Sequence, residues 1–341
     1  MIMIQEKLIR WYKENKRDLP FRNTEDPYKI WISEIMLQQT TVAAVIPYYE
    51  RFIDRFPNIY SLSKANLEEV YKLWEGLGYY RRAKHIHETS QILINDYDGI
   101  FPSDYHDILS LKGIGPYTAS AISSFAFHKS YSAIDGNGLR VLSRVFEIKE
   151  NIALTKTVKM ITDLSNELII GYDSSCYNQG LMDLANMICK VKNPLCDQCP
   201  LKSDCLSFNH HSEKLLPISI KKVNHKELSL ITGIITYKDK VLLIKNEEGL
   251  LENMYGLVQY EAESPYSFIE MFEEDYHEHL EAVSFIKDYR HVFTHRTWKM
   301  HVYHFICDHE LEGMYSQEEL LLLPIPTAHK KIIKEISFFN M

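Results

Sequence analysis

The sequence predicts a mostly α-helical protein, with a larger helical domain followed by a smaller α+β domain. Three observations carry this. Apolar residues recur at three- and four-residue spacing through the first 205 residues. Short β-type runs replace that rhythm after residue 226. Between them, Ser207–Lys226 contains His210, His211, Pro217, Lys221 and Lys222, a mix that suits a linker. A length of 341 residues also suits two domains. The expected boundaries are 1–206 and 227–341, with 207–226 between them.

The helical rhythm runs through Leu8–Trp11, Trp31–Ile35, Leu67–Trp74 and Ile161–Leu168. Breaks fall at Pro20, Pro27, Pro57, Gly76/Gly78, Pro102 and Gly113/Gly115. After the linker, Leu230–Tyr237, Val241–Ile244, Val283–Ile286 and His301–Ile306 read as strands. Tyr237-Lys-Asp-Lys240 reads as a hairpin turn between the first two. Residues 261–281 hold eight acidic residues and no Lys or Arg, the pattern of a solvated helix face.

With 38 Lys+Arg against 46 Asp+Glu, the net charge of −8 argues against a nucleic-acid partner when taken whole. Division by domain weakens that argument. Residues 1–225 hold 27 basic and 26 acidic residues, a net of +1, and residues 226–341 hold 11 and 20, a net of −9. The acidity belongs to the C-terminal third. No apolar run approaches membrane-spanning length, and Met1–Arg17 is mixed and charged with no signal-peptide core. A cytoplasmic protein with no membrane partner is expected.

Four of the six cysteines, Cys189, Cys196, Cys199 and Cys205, are spaced C-x6-C-x2-C-x5-C. Thiolates this close bind metal or oxidise, and a cytoplasmic chain favours metal. Structural zinc usually takes two close pairs, whereas here one close pair has single cysteines on either side. That suits a 4Fe–4S cubane, whose irons are spread out, with zinc and free thiols as the alternatives. Cys176 and Cys307 read as small core residues.

Leu111-Lys-Gly-Ile-Gly-Pro-Tyr-Thr-Ala119 sets Gly113 and Gly115 before a helix, with Pro116 suited to its first position. Exposed amides and the helix dipole there would hold an anion. A G-x-G alone is equally a tight helix–helix turn. With Leu111, Ile114, Ala119 and Ile122 as its apolar frame, it looks like a helix–hairpin–helix element, which grips phosphate without excess positive charge.

Two carboxylates stand out. Asp135 lies in Ala-Ile-Asp-Gly-Asn-Gly-Leu-Arg140, where Gly136 and Gly138 suggest a turn. Its plain alternative is an N-cap for a helix beginning near Leu139. Glu34 has Ile30, Trp31 and Leu37 as helical neighbours, so its carboxyl would be desolvated, raised in pKa and available as an acid. Together they are the pair that N-glycosidic cleavage needs: an acid for the leaving base and an anion for the cationic sugar.

The hairpin with its downstream Asp resembles the helix–hairpin–helix DNA glycosylase superfamily, and the cysteine loop narrows this to the iron–sulfur branch. Ser33-Glu-Ile-Met-Leu-Gln-Gln-Thr40, Leu73-Trp-Glu-Gly-Leu-Gly-Tyr-Tyr80, Ile134-Asp-Gly-Asn137 and Gln179-Gly-Leu-Met-Asp-Leu184 are similar to the MutY family of adenine DNA glycosylases. The resemblance is strong to about residue 205 and weaker after 226. It implies a two-lobed helical glycosylase domain with a 4Fe–4S loop and a Nudix-like C-terminal domain. It also implies removal of adenine opposite 8-oxoguanine or guanine in duplex DNA, in association with the nucleoid; a monomer on DNA is the default expectation. By it, Glu34 protonates adenine N7 and helps activate water, and Asp135 stabilises the sugar cation with Asn137 and Tyr117 assisting. Arg22 and Gln179 would contact the extruded base. Gln39, Leu77 and Tyr79 would wedge the duplex, though Leu77 and Tyr79 read on their own as core.

Endonuclease III-like relatives carry a nucleophilic Lys where this chain has Tyr117, which cannot form an imine, so base excision by water attack with at most weak strand cleavage is expected. The C-terminal domain lacks the R-E-x-x-E-E type run of a hydrolytic Nudix box, so phosphohydrolase chemistry is not expected. Phe293-Thr294-His295 stands where the family has Phe-Ser-His against the oxidised guanine. Phe21 stands where relatives often have Trp. Lys287, Arg290, Arg296 and Lys299, set against Asp288 alone, form a strip expected to face DNA.

Overall fold

The computed structural model describes residues 3–220, 226–247, 249–293, 295–334 and 336. Twelve α-helices precede the first strand among the described residues: α1 Ile4–Asn15, α2 Pro27–Leu37, α3 Val42–Arg55, α4 Ile59–Ser63, α5 Leu67–Trp74, α6 Arg81–Tyr97, α7 Tyr105–Ser110, α8 Pro116–Phe125, α9 Gly136–Val145, α10 Thr155–Ile169, α11 Ser174–Met187 and α12 Leu206–Asn209. Then follow β1 Lys226–Tyr237, β2 Lys240–Leu242, β3 Ile244–Lys245, β4 Tyr255–Gly256, β5 Val258–Tyr260, α13 Pro265–Tyr276, β6 Glu281–Val292, β7 Arg296–Ile306, β8 Met314–Tyr315, α14 Gln317–Leu320 and α15 Thr327–Ile333. Among the described residues no helix is long and apolar enough to cross a membrane.

Two compact units result, and they do not follow chain order. One comprises Met1–Ala65 and Lys84–Lys221, the other Asn66–Ala83 and Lys222–Met341. Helix α5 and the loop after it therefore group with the C-terminal residues.

In the first unit, α11 packs against α1, α8 and α9, and α2 packs against α3 and α8. The helix starts are chemically marked. Asp26 accepts from Tyr28 N ahead of Pro27, Asp104 caps α7, and Asp173 caps α11. Leu8, Leu139, Leu142, Tyr177 and Leu181 share one core. Residues after the cysteine loop fold back on this unit: Ile152 N donates to Ile218 O at 2.9 Å, and Arg144 Nε to Leu216 O at 2.9 Å.

In the second unit the sheet order is β6-β7-β1-β2-β8, with β5 also on β1. The β1–β7 pair is parallel and the β6–β7 pair antiparallel. Period-2 alternation sends Leu230 and Ile234 to one face, with Met300 and Ile332. It sends Ile231 and Ile235 to the other, with Phe268, Phe272 and Phe305. Gly233 is required there, because a Cβ would lie 2.5 Å from Phe268 Cζ. The expected hairpin forms, with Tyr237 opposite Lys240 and Lys238 at φ 53°. The acidic run supplies α13, which buries Phe268 and Phe272 and leaves Glu270, Glu274 and Asp275 exposed.

Candidate active site

A cavity of about 600 Å³ opens in the first unit. Phe21, Arg22, Glu34, Gln39, Tyr117, Asp135, Asn137 and Gln179, eight residues singled out in the sequence, all line it. Glu34 is buried because α2 is apolar all round, with Ile30, Trp31, Ile32, Ile35 and Met36 also buried. Tyr117 follows Pro116 in the first turn of α8, and its hydroxyl donates to Glu34 Oε2 at 2.7 Å. Burial raises the Glu34 carboxyl to about 7; the Tyr117 hydrogen bond opposes this, the Asp135 charge adds to it and Arg22 opposes it. Burial also holds the Tyr117 hydroxyl well above its ordinary range, so it stays a donor.

Asp135 is both cavity wall and helix cap. Its Oδ1 accepts from Asn137 N and Gly138 N, each at 2.9 Å, and its Oδ2 from Asn137 Nδ2 at 2.7 Å. The helix it caps begins at Gly136, where the sequence suggested a turn and a start near Leu139. The difference has a simple cause. First-turn residues need no intrahelical N–H partner, and the Asp carboxylate supplies one, so both glycines are tolerated inside the helix. Asn137 Oδ1 accepts from Arg140 Nη2 at 3.1 Å, and Arg140 Nε donates to Cys189 O at 2.9 Å. A hydrogen-bonded path thus runs from Asp135 to the first cysteine.

Sequence reasoning gave no role to Asp183. It is fully buried on α11 and pairs with Arg17 Nε at 2.6 Å and with Arg22 Nη1. Its signal was available: an Asp four residues after Gln179, on the same helix face. Gln179 Oε1 accepts from Tyr12 at 2.8 Å and its Nε2 donates to Ser175 Oγ at 2.9 Å. Phe21 is buried, edge-on to Tyr49 at 5.5 Å. Gln39 is exposed at the lip with φ 60°, an unusual conformation for a non-glycine residue.

The hairpin joins α7 to α8. Gly113 has φ 78°, and a Cβ there would meet His85 Cβ at 2.6 Å, so both backbone and packing demand glycine. Thr89 Oγ1 anchors the turn by donating to Lys112 O at 2.7 Å. Gly115 is the N-cap of α8 and no side chain caps it, which suits the capture of an anion by the first amides.

The four cysteines line one small cavity together with Arg144 and Glu213. Among the described residues no three His, Cys, Asp or Glu side chains gather as a single-ion site. Four thiols lining one cavity are a donor set that a metal centre could share. Burial raises the Cys199 thiol to about 12, so a bound cation is what would keep it a thiolate there. Arg144, itself buried, donates to Cys189 Sγ at 3.3 Å and to Lys190 O at 2.7 Å. Cys307 is buried as expected, and Cys176 is only partly so.

In the second unit Leu77 is buried, and Tyr79 is 45% exposed at φ 51°. Both line a cavity of about 400 Å³ with His291, Phe293, His295 and Arg296. Phe293 packs edge-on between His291 and Trp298, at 4.6 and 4.8 Å. Thr294 lies outside the described residues. In the basic strip, Glu227 on β1 pairs with Lys299 at 2.7 Å and approaches Arg290 at 3.9 Å, and Asp288 binds His301 at 2.7 Å. The strip is thus partly neutralised by an acid from a distant part of the sequence.

Residues 32–169 match the HhH-GPD superfamily of base excision DNA repair proteins, and residues 231–335 match the NUDIX domain. A thermostable thymine-DNA glycosylase of known structure is 31% identical, with a TM-score of 0.56, over 60% of this chain and 95% of that one. An endonuclease III trapped on DNA shares the fold at 21% identity and a TM-score of 0.52. Fold and site define a helix–hairpin–helix base excision DNA repair protein with a Nudix-like second domain. The adenine DNA glycosylase of Buchnera aphidicola subsp. Baizongia pistaciae is 34% identical over 357 residues, 99% of this chain and 98% of the relative. The human adenine DNA glycosylase is 39% identical over 207 residues, 58% of this chain and 38% of the relative. The chain belongs to the adenine DNA glycosylase family.

Proposed function

We propose that this protein hydrolyses the N-glycosidic bond of adenine opposite 8-oxoguanine or guanine in duplex DNA. The observation that carries this is a buried, protonatable Glu34 sharing one cavity with an Asp135 carboxylate fixed by three N–H donors. The base must leave the stack, because its glycosidic bond is inaccessible in a duplex. Glu34 gives its proton to adenine N7, and the C1′–N9 bond breaks with its electron pair moving to the base. Asp135, held by its three N–H donors, stabilises the sugar cation. Water adds at C1′ and returns a proton to Glu34. Asn137 and Tyr117 hold the two carboxyl groups in place. Arg22 and Gln179 border the adenine pocket, and Phe21 offers it an aromatic wall.

The amides around Gly113 and Gly115 take a DNA phosphate. Gln39, Leu77 and Tyr79 enter the duplex, and Phe293, Thr294 and His295 meet the oxidised guanine. Cys189, Cys196, Cys199 and Cys205 would hold a 4Fe–4S cluster, whose role would be to tie the 189–205 loop together. The protein works in the cytoplasm as a monomer on DNA.

One assay tests the reading. Duplex carrying adenine opposite 8-oxoguanine is incubated with protein, with and without alkali. Strand breaks only after alkali support hydrolysis without lyase chemistry. Breaks without alkali would indicate a glycosylase/lyase, and no release at all a non-catalytic DNA-binding protein. Glu34→Gln excising adenine at full rate would remove the role given to Glu34.

A further inference from the structure

The loop Gly76–Tyr79 is fastened from the C-terminal side of the second unit. Glu75, mostly buried at the end of α5, is bound by Lys330 of α15 at 2.7 Å and by Lys72 at 3.1 Å. Lys72 also donates to Leu323 O at 3.1 Å. At the other end of α5, Glu68 pairs with Lys245 of β3 at 2.7 Å and accepts from Tyr255 of β4 at 3.4 Å. Just past the loop, Tyr80 packs on the core containing Trp298 and Ile332, and stacks edge-on with Tyr71 at 6.1 Å. The loop between these anchors is conformationally costly. Gly76 and Gly78 have φ 102° and 74°, and Tyr79 holds φ 51° with its ring exposed. A non-glycine residue in that region persists only where its surroundings over-determine it.

We propose that Glu75 and Lys330 are positioning residues through which the Nudix-like domain holds the Gly76–Tyr79 loop for entry into DNA. That domain then acts on the duplex through a loop contributed by the earlier part of the chain, besides any contact of its own. The ion pair sits one residue before Gly76, so it fixes the loop's first anchor while Tyr80 fixes its last. This rests on the reading of Tyr79 as a residue that enters the duplex.

The test uses the full chain and a duplex whose target adenine, opposite 8-oxoguanine, carries a 2′-fluorine that blocks excision. A neighbouring 2-aminopurine brightens when it is unstacked. Lys330→Glu and Glu75→Lys should each weaken binding about fivefold and lower the 2-aminopurine signal. The charge swap combining Glu75→Lys with Lys330→Glu should restore both, which a loss of fold would not allow. Single variants that match the wild type, or a swap no better than either single, would overturn the clamp. Tyr79→Ala separates the two levels. If it dims the signal while Lys330→Glu does not, the clamp alone falls. If it leaves the signal unchanged, the wedge reading falls and the clamp with it.

Discussion

The Tyr117 hydroxyl donates to Glu34 Oε2 at 2.7 Å, inside the cavity that Asp135 also lines. Burial favours the neutral carboxyl, and the hydrogen bond favours the ionised one. The balance near 7 leaves Glu34 able to give a proton and take one back at neutral pH. Excision should therefore fall as pH rises through about 7, approaching tenfold per unit above it. Tyr117→Phe removes the interaction that lowers the Glu34 pKa. Single-turnover rates across pH should show its alkaline limb displaced upward, and an unmoved limb would count against the coupling.

Glu34 also has a stability signature. Its folded pKa is raised from 4.5 to about 7, so between these values the native state binds more protons than the unfolded one. Its contribution to stability is present below pH 4.5 and is lost as pH rises through about 7. Glu34→Gln should accordingly stabilise the fold above pH 7, by up to about 3 kcal/mol, and do little below pH 4.5. Chemical denaturation on either side of that window checks the sign.

Asp183 holds Arg17 and Arg22 with no solvent exposure of its own. Asp183→Asn leaves two cations short of their counter-charge, which should cost roughly 3 kcal/mol in a urea melt. Excision should fall as well, because Arg22 then loses its fixed place on the cavity wall.

Gly113→Ala meets two obstacles at once, a φ of 78° and the His85 side chain 2.6 Å away. The expected loss is about 2 kcal/mol of stability. If the hairpin takes phosphate as proposed, DNA binding should weaken on duplexes of any sequence. Titration of undamaged duplex with the variant measures this.

Cys199→Ser replaces one cavity-lining thiol by a poor iron ligand. Purified variant should lack the thiolate-to-iron charge-transfer colour, and limited proteolysis should cut within 189–205 sooner than in the wild type. Zinc in place of iron in the wild type, measured by elemental analysis, would overturn the cluster.

The residues that line the candidate cavity were legible because the patterns that single them out act at short spacing. The cysteine spacing, the G-x-G before Pro116 and the apolar neighbours of Glu34 all act within a few turns of chain. Asp135 as a cap was legible too, though the helix start was misplaced because glycine signals a turn and a first helical turn alike. The helix spacing from Gln179 points to Asp183 itself, but its pairing with Arg17 and Arg22 spans more than 160 residues, and local spacing does not name those partners. The pairing of Glu227 with Lys299 was equally hidden, so the basic strip looked more uniformly charged than it is.

The sequence by itself determined which groups are candidates for the chemistry: Glu34, Asp135, the Gly113/Gly115 turn and four cysteines. Residue type and near-neighbour spacing set what each can do. Only the tertiary structure decided how hard each is pushed and what holds it. Burial raises Glu34 to about 7, and three N–H groups fix Asp135. Ion pairs with Lys245 and Lys330 bind helix α5 among the C-terminal strands and helices. Desolvation and long-range ion pairing depend on what the folded chain brings alongside a residue, and that is absent from the residue's own neighbourhood in sequence.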